Sequence, residues 1–194
     1  MMARSPSRRH VVAVLALLPA LCACSTTPSP RLFTLVPRPG TPDNRFSGTI
    51  DVKRAELAKY LDRPEIVRYR DAYELSMSEY VRWGEGLGDM VTRVFVEDLA
   101  QRLPRSQAYA ASGPLTLPAP NVTIEINIDR FELDPSDAVV LAAQWVAHRE
   151  RSGDRIRAEQ IRVAVGSSDT TAQIAAMSDA LGQLADRIAS ALAA

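Results

Sequence analysis

From Val122 to Asp129 apolar and polar residues alternate without interruption. Val122, Ile124, Ile126 and Ile128 fall on one side of an extended chain, and Thr123, Glu125, Asn127 and Asp129 fall on the other. Side chains on a strand repeat every two residues, so this segment requires a sheet with one buried and one wet face. The rest of the chain must supply an apolar cover for that face. Two segments can do so. Leu87, Met90, Val91, Val94, Phe95, Leu99 and Leu103 recur mostly at spacings of three and four, as do Ile174, Met177, Leu181, Leu184, Ile188 and Leu192. That is the period of one helical stripe. Pro104 stops the first helix, and Ser168 or Asp169 can cap the second.

Other segments read as strands. Ala138 to His148 carries Leu141 and Trp145 on one face, and Ser152-Gly153-Asp154 offers a tight turn into Arg155 to Val165. Leu32 to Val36, bounded by prolines, reads as an edge strand, and Ser47 to Lys53, Ile66 to Tyr69 and Glu79 to Trp83 read as further strands. Arg54 to Leu61 is ambiguous, with helix formers and weak periodicity before Pro64, and Ser106 to Pro120 reads as a loop or irregular edge. The economical arrangement is an α+β fold in which an antiparallel sheet carries the two amphipathic helices on one face.

The chain begins with a segment of different character. Arg4, Arg8, Arg9 and His10 precede the apolar run Val11 to Leu18 and the stretch Leu21-Cys22-Ala23, the three-part layout of a secretory leader. Leu21-Cys22-Ala23-Cys24 resembles a bacterial lipobox, which makes Cys24 the expected site of acylation and the first residue after cleavage. Cys22 would place the bulky Leu21 next to the cut. Two or more acyl chains anchor a protein stably where one is marginal. Ser25 follows the cysteine, where an Asp commonly marks inner-membrane retention, so the expected location is the periplasmic face of the outer membrane. The expected organisation is a leader over 1–23, the acylated cysteine and a Pro/Ser/Thr-rich tether over 24–31, and one domain over 32–194.

Removing Arg4, Arg8 and Arg9 with the leader leaves 20 basic against 23 acidic residues, with no basic concentration of the kind that nucleic acid binding requires. Cys22 and Cys24 are the only cysteines, so the domain has no disulfide, no thiolate nucleophile and no cysteine metal site. His148 stands alone at a strand end, Asp134 and Asp137 flank Pro135 as turn residues would, and Gly84, Gly86 and Gly88 lack the spacing of a dinucleotide or phosphate loop. These residues give no sign of an enzyme, and no cofactor or metal is expected.

Several local runs carry a family resemblance. They are Leu32-Phe33-Thr34-Leu35, Tyr60-Leu61-Asp62-Arg63-Pro64-Glu65-Ile66-Val67, Arg82-Trp83, Arg130-Phe131, Trp145 and the terminal Ala176-Met177-Ser178 helix. Together they resemble the auxiliary lipoprotein of ABC-type transporters, the PqiC or YmbA family. Gly86 departs from that pattern, standing where a proline often follows. The resemblance implies a non-enzymatic component of an intermembrane lipid transport system, working with an MCE-domain periplasmic protein and an inner-membrane ABC transporter, as a homo-oligomer. A different class of function, a carrier holding lipid or another small molecule in its own pocket, remains the alternative. Candidate partner contacts are Arg63, Pro64 and Glu65, which read equally as a proline-fixed structural turn, and Arg82 and Trp83, where the tryptophan also has a place in the core.

Overall fold

In a computed structural model the structure describes residues 29–111, 117–149, 153–167 and 169–194. The twelve elements are β1 (Arg31–Phe33), β2 (Gly48–Val52), β3 (Glu56–Leu57), β4 (Arg68–Tyr69), β5 (Leu75–Ser76), β6 (Val81–Trp83), α1 (Leu87–Arg102), β7 (Ser106–Tyr109), β8 (Val122–Leu133), β9 (Ala138–Arg149), β10 (Arg155–Ala164) and α2 (Thr170–Ala193).

The alternating segment lies inside β8, with Ile124, Ile126 and Ile128 buried and Glu125, Asn127 and Asp129 exposed. Strands β8, β9 and β10 form the expected antiparallel meander. α1 packs against α2 and β7, and α2 packs against β8, β9 and β10. The helical stripes, among them Val94, Phe95, Leu184 and Ile188, join the inward face of the sheet in one core. The fold is therefore α+β with both helices on the apolar face.

The sheet is mixed rather than antiparallel, which corrects the expected arrangement. The edge of β8 away from β9 is shared along its length by three short strands, β2, β3 and β4, all parallel to it, and β2 also pairs in parallel with β7. Parallel neighbours need a long crossover. β2 and β7 have one in the intervening chain that contains α1. The ambiguous stretch 54–61 contains β3 and no helix, because the β8 edge captures its backbone: Lys53 N–H donates to Ile124 O (2.9 Å) and Ala58 N–H to Ile128 O (2.9 Å). Thr92 Oγ1 accepts the Ala55 N–H between them (2.9 Å).

A register shift in the β8–β9 ladder between Ile128 and Arg130 leaves Asp129 as the extra residue of a bulge. An added residue reverses the alternation. Phe131 and Leu133 therefore continue the core face that the isoleucines began, while Arg130 and Glu132 turn to the opposite face. Glu132 is nevertheless fully buried, covered by Tyr60, whose hydroxyl donates to its Oε2 (2.7 Å). Burial and that carboxylate push the Tyr60 phenol far above its ordinary range. The Arg130 guanidinium bonds the other oxygen of Glu132 (2.8 Å) and lies 5.3 Å from the centre of the Tyr69 ring.

β1 takes in Arg31, the last residue assigned above to the tether, and pairs in parallel with β6 alone, outside the main sheet. The chain then runs as a strap along both helices. Leu35 N–H contacts Met90 Sδ (3.1 Å), Val36 N–H donates to Ser178 Oγ (3.2 Å), Arg38 N–H to Asp98 Oδ1 (2.7 Å) and Asp43 N–H to Arg102 O (2.7 Å). Gly40 makes this possible: a Cβ there would lie 2.4 Å from the Arg102 guanidinium carbon. Where the strap crosses the helices it covers a buried ionic cluster. Arg102 is 2% exposed, donates to Asp186 Oδ1 (2.6 Å) and Arg38 O (3.0 Å), and stands 3.5 Å from Asp98 Oδ1. Arg38 in turn pairs with Asp179.

The long elements give the domain two ends. At one, β4 meets Leu133 at the C-terminal end of β8, and Arg68 donates to Thr170 at the start of α2 (2.9 Å). At the other, Arg149 and Arg155 reach the carbonyls of the last turn of α2 and the chain turns at Gly153 (φ 76°).

Candidate docking site

The two candidate contact segments come together in the fold. Pro64 fixes the chain after a turn in which Leu61 N–H donates to Ala58 O (2.8 Å) and Arg63 N–H to Leu61 O (2.9 Å). Pro64 O then accepts the Trp83 N–H (2.8 Å) and Ile66 N–H donates to Val81 O (3.2 Å), which places Glu65 opposite Arg82 in an antiparallel bridge. Residues 64–66 thus lie along β6, whose other edge is taken by β1.

On the surface of this ribbon one carboxylate stands between two guanidinium groups. Glu65 Oε2 is 3.4 Å from Arg63 Nε, and Glu65 Oε1 is 3.6 Å from Arg82 Nη2, with arginine side chains 38% and 39% exposed. Both contacts are ion pairs too long or too poorly directed to count among the hydrogen bonds. Among the described residues the Nε atoms of Arg63 and Arg82 are buried without a hydrogen-bond partner. Such pairs contribute about 0–1 kcal/mol to stability. The patch keeps a surplus positive charge on two arginine side chains that are partly exposed, and a carboxylate is the group that arginine binds most strongly.

Trp83 does not belong to that surface. Its register partner is Phe33, it is 5% exposed, and it joins the core. As the third residue of β6 it faces opposite to Arg82, so the reading of Arg82-Trp83 as a paired exposed anchor is corrected: the arginine points outward and the tryptophan inward. Pro64 contributes its carbonyl and its fixed backbone. Cys24 lies outside the described residues, as do Ser152 of the expected turn and Ser168, one of the two expected caps. Asp169 is the N-cap residue of α2, with no side-chain cap bond.

The residues weighed for chemistry have structural partners. His148 stands 3.1 Å from Asp154 and 3.8 Å from Glu125 at the end of β9. Asp134 Oδ1 accepts from the Ser136 hydroxyl (2.8 Å) and backbone N–H (2.9 Å), and its other oxygen pairs with Arg162 (2.7 Å), as a turn residue would. Those bonds hold the Asp134 carboxyl below its ordinary range against the opposing effect of burial. Gly86 is the N-cap residue of α1. Among the described residues no group of three His, Cys, Asp or Glu side chains could hold a metal ion, and no helix is long and apolar enough to cross a membrane.

The ionic cluster under the strap was not singled out from the sequence. Its signal was present: Asp98 and Arg102, four residues apart, fall on the same buried stripe as Val91, Val94 and Phe95. Burial raises the Asp98 carboxyl to about 6, opposed by the hydrogen bond from Arg38 N–H and by the charge of Arg102.

Comparison with known proteins gives a consistent result. Residues 33–189 match the family described as ABC-type transport auxiliary lipoprotein component. Among solved structures, an uncharacterized protein superposes with a TM-score of 0.70 at 15% identity, covering 85% of this chain and 99% of its own. A Xanthomonas campestris protein of family DUF330 superposes with a TM-score of 0.62 at 19% identity, covering 83% of this chain and 90% of its own. At such identities the likeness is one of fold. No curated protein matches the chain.

Proposed function

Because the chain belongs to the family of ABC-type transport auxiliary lipoprotein components, we propose that it is a non-enzymatic adaptor of an intermembrane lipid transport system. In this reading acyl chains on Cys24 hold it at the periplasmic face of the outer membrane. As a homo-oligomer, it docks an MCE-domain protein that connects to an inner-membrane ABC transporter. ATP hydrolysis belongs to the transporter. The family match over 33–189 carries the reading, and the partly exposed Arg63 and Arg82, with the more buried Glu65 between them, supply its contact surface.

The test pairs affinity with stability. Arg63→Glu and Arg82→Glu reverse charges that contribute little to the fold, so each variant should keep its melting temperature. Each should also lose binding to the MCE-domain partner by roughly tenfold or more, as expected when an interface arginine is removed. Native mass spectrometry of the gently extracted protein should show an oligomer without bound phospholipid. Unchanged affinity in both variants would move the docking surface elsewhere, and stoichiometric copurified lipid would favour a carrier.

A further inference from the structure

The excursion between β4 and β6 exposes apolar side chains with no counterpart in the core. Tyr73, at the tip of the β4–β5 hairpin, is 98% exposed. Met77 follows β5 at 40% and Tyr80 precedes β6 at 42%. Leu32, on the outer side of β1, is 65% exposed. The tip is an ordered turn: Asp71 Oδ1 accepts the N–H groups of Tyr73 (2.7 Å) and Glu74 (2.9 Å), and Arg70 N–H donates to Glu74 O (2.8 Å). Arg31 N–H, where the chain enters β1, donates to Tyr80 O (2.8 Å). The exposed aromatics therefore sit at the end of the domain where the N-terminal segment arrives.

Cys24 lies seven residues before Arg31. At 3.3–3.6 Å per residue the intervening chain spans at most about 25 Å. β8, with 12 residues, runs roughly 40 Å from the β9–β10 turn end to the β4 end. A tether shorter than the domain keeps the Arg31 end near the bilayer whatever the domain's tilt. We propose that the hairpin tip at Tyr73, with Met77 and Tyr80, rests in the headgroup region of the membrane that holds the acyl chains and fixes the orientation of the domain on it. The proposal builds on acylation of Cys24. Tyrosine suits that region, since its ring prefers the apolar side and its hydroxyl the wet side. Arg31 and Arg70 stand among Asp71, Glu74 and Glu79, so the attraction is apolar rather than electrostatic and is insensitive to salt. With this end on the bilayer, the end of β9, the start of β10 and the C-terminus of α2 point away from it.

Trp83 and Trp145 are both buried and so shielded from quenchers, and an introduced tryptophan is read as the difference from the parent chain. The full acylated chain is reconstituted on phosphatidylethanolamine vesicles containing brominated lipid, as Tyr73→Trp and, at the opposite end, as Ile156→Trp. Ile156 is 64% exposed, so neither substitution disturbs the core. The expected result is lipid quenching with an emission blue shift at position 73, persistent at high salt, and iodide quenching without lipid quenching at position 156. Equal iodide access at both positions on vesicles would overturn the proposal. So would shielding of position 73 that arises only on adding the solubilised partner proteins, which would assign the tip to a protein contact. The mass of the same preparation separates two failures. An acylated chain whose residue 73 stays in water refutes the membrane contact alone, whereas an unacylated chain refutes the anchor and the contact together.

Discussion

Replacing Asp98 with Asn removes a charge that this fold holds against a solvation penalty. The Asp98 side chain is fully buried on α1; its Oδ1 accepts the strap's Arg38 N–H, and its Oδ2 has no hydrogen-bond partner among the described residues. Burial carries its carboxyl from an ordinary 3.8 to about 6, and at ~1.4 kcal/mol per pH unit this difference corresponds to on the order of 3 kcal/mol. Between about pH 4 and pH 6 the native chain holds a proton that the unfolded chain has lost. This group's contribution to stability therefore falls as pH rises through that window, and the full penalty is in place above it. Asn keeps the acceptor for Arg38 N–H and carries no charge. Its amide adds a buried donor that costs roughly 1–2 kcal/mol if unpartnered, leaving an expected net gain of about 1–2 kcal/mol at pH 7.5. Asp98→Ala keeps neither the charge nor the acceptor and should be destabilised throughout. Urea denaturation of wild type and both variants across the range, compared as differences, isolates this one carboxyl from the rest. An Asn variant that is less stable at neutral pH, with the same pH slope as wild type, would show that Arg102 outweighs the burial penalty and that the reasoning is wrong.

Three further outcomes are expected. Ile126→Ala, in the core face of β8, should cost ~2–5 kcal/mol in chemical denaturation while Glu125→Ala changes little; equal small effects would mean that the face is misassigned. Trp83→Ala should lower stability by about 3–5 kcal/mol and leave the affinity of the folded fraction for a partner unchanged, the opposite of Arg63→Glu. Cys24→Ala should abolish incorporation of labelled palmitate, with Cys22→Ala still labelled; label persisting on the Cys24 variant would refute the lipobox reading.

The elements readable from sequence are those whose burial is periodic and local. β8 announces itself through four alternating apolar residues, and α1 and α2 through stripes that close on the same face. The parallel half of the sheet leaves no such trace. Ile50 pairs with Val122, and Leu57 with Ile128, across some seventy residues, and strands of two to five residues carry too little pattern to declare a partner. β7 forms from Ser106 to Tyr109, an unremarkable small and polar run, because β2 offers it an edge. At the candidate site the sequence offers Arg63-Pro64-Glu65 and Arg82-Trp83 as two separate runs. Their meeting depends on the bridge between Glu65 and Arg82, and the register of β6 on β1 decides that Arg82 faces outward and Trp83 inward, neither of which a local pattern declares.

The route of the chain from β1 into the strap also has a mechanical meaning. Because β1 and β6 run in the same direction, a pull on Arg31 along the strand axis loads their hydrogen bonds crosswise and together, rather than peeling them one after another. Force passing β1 meets successive pins at Met90, Ser178, Asp98 and Arg102, which divide it between the two helices. A domain tugged from its N-terminus is thereby gripped at several points in succession, on both helices, rather than at a single bond.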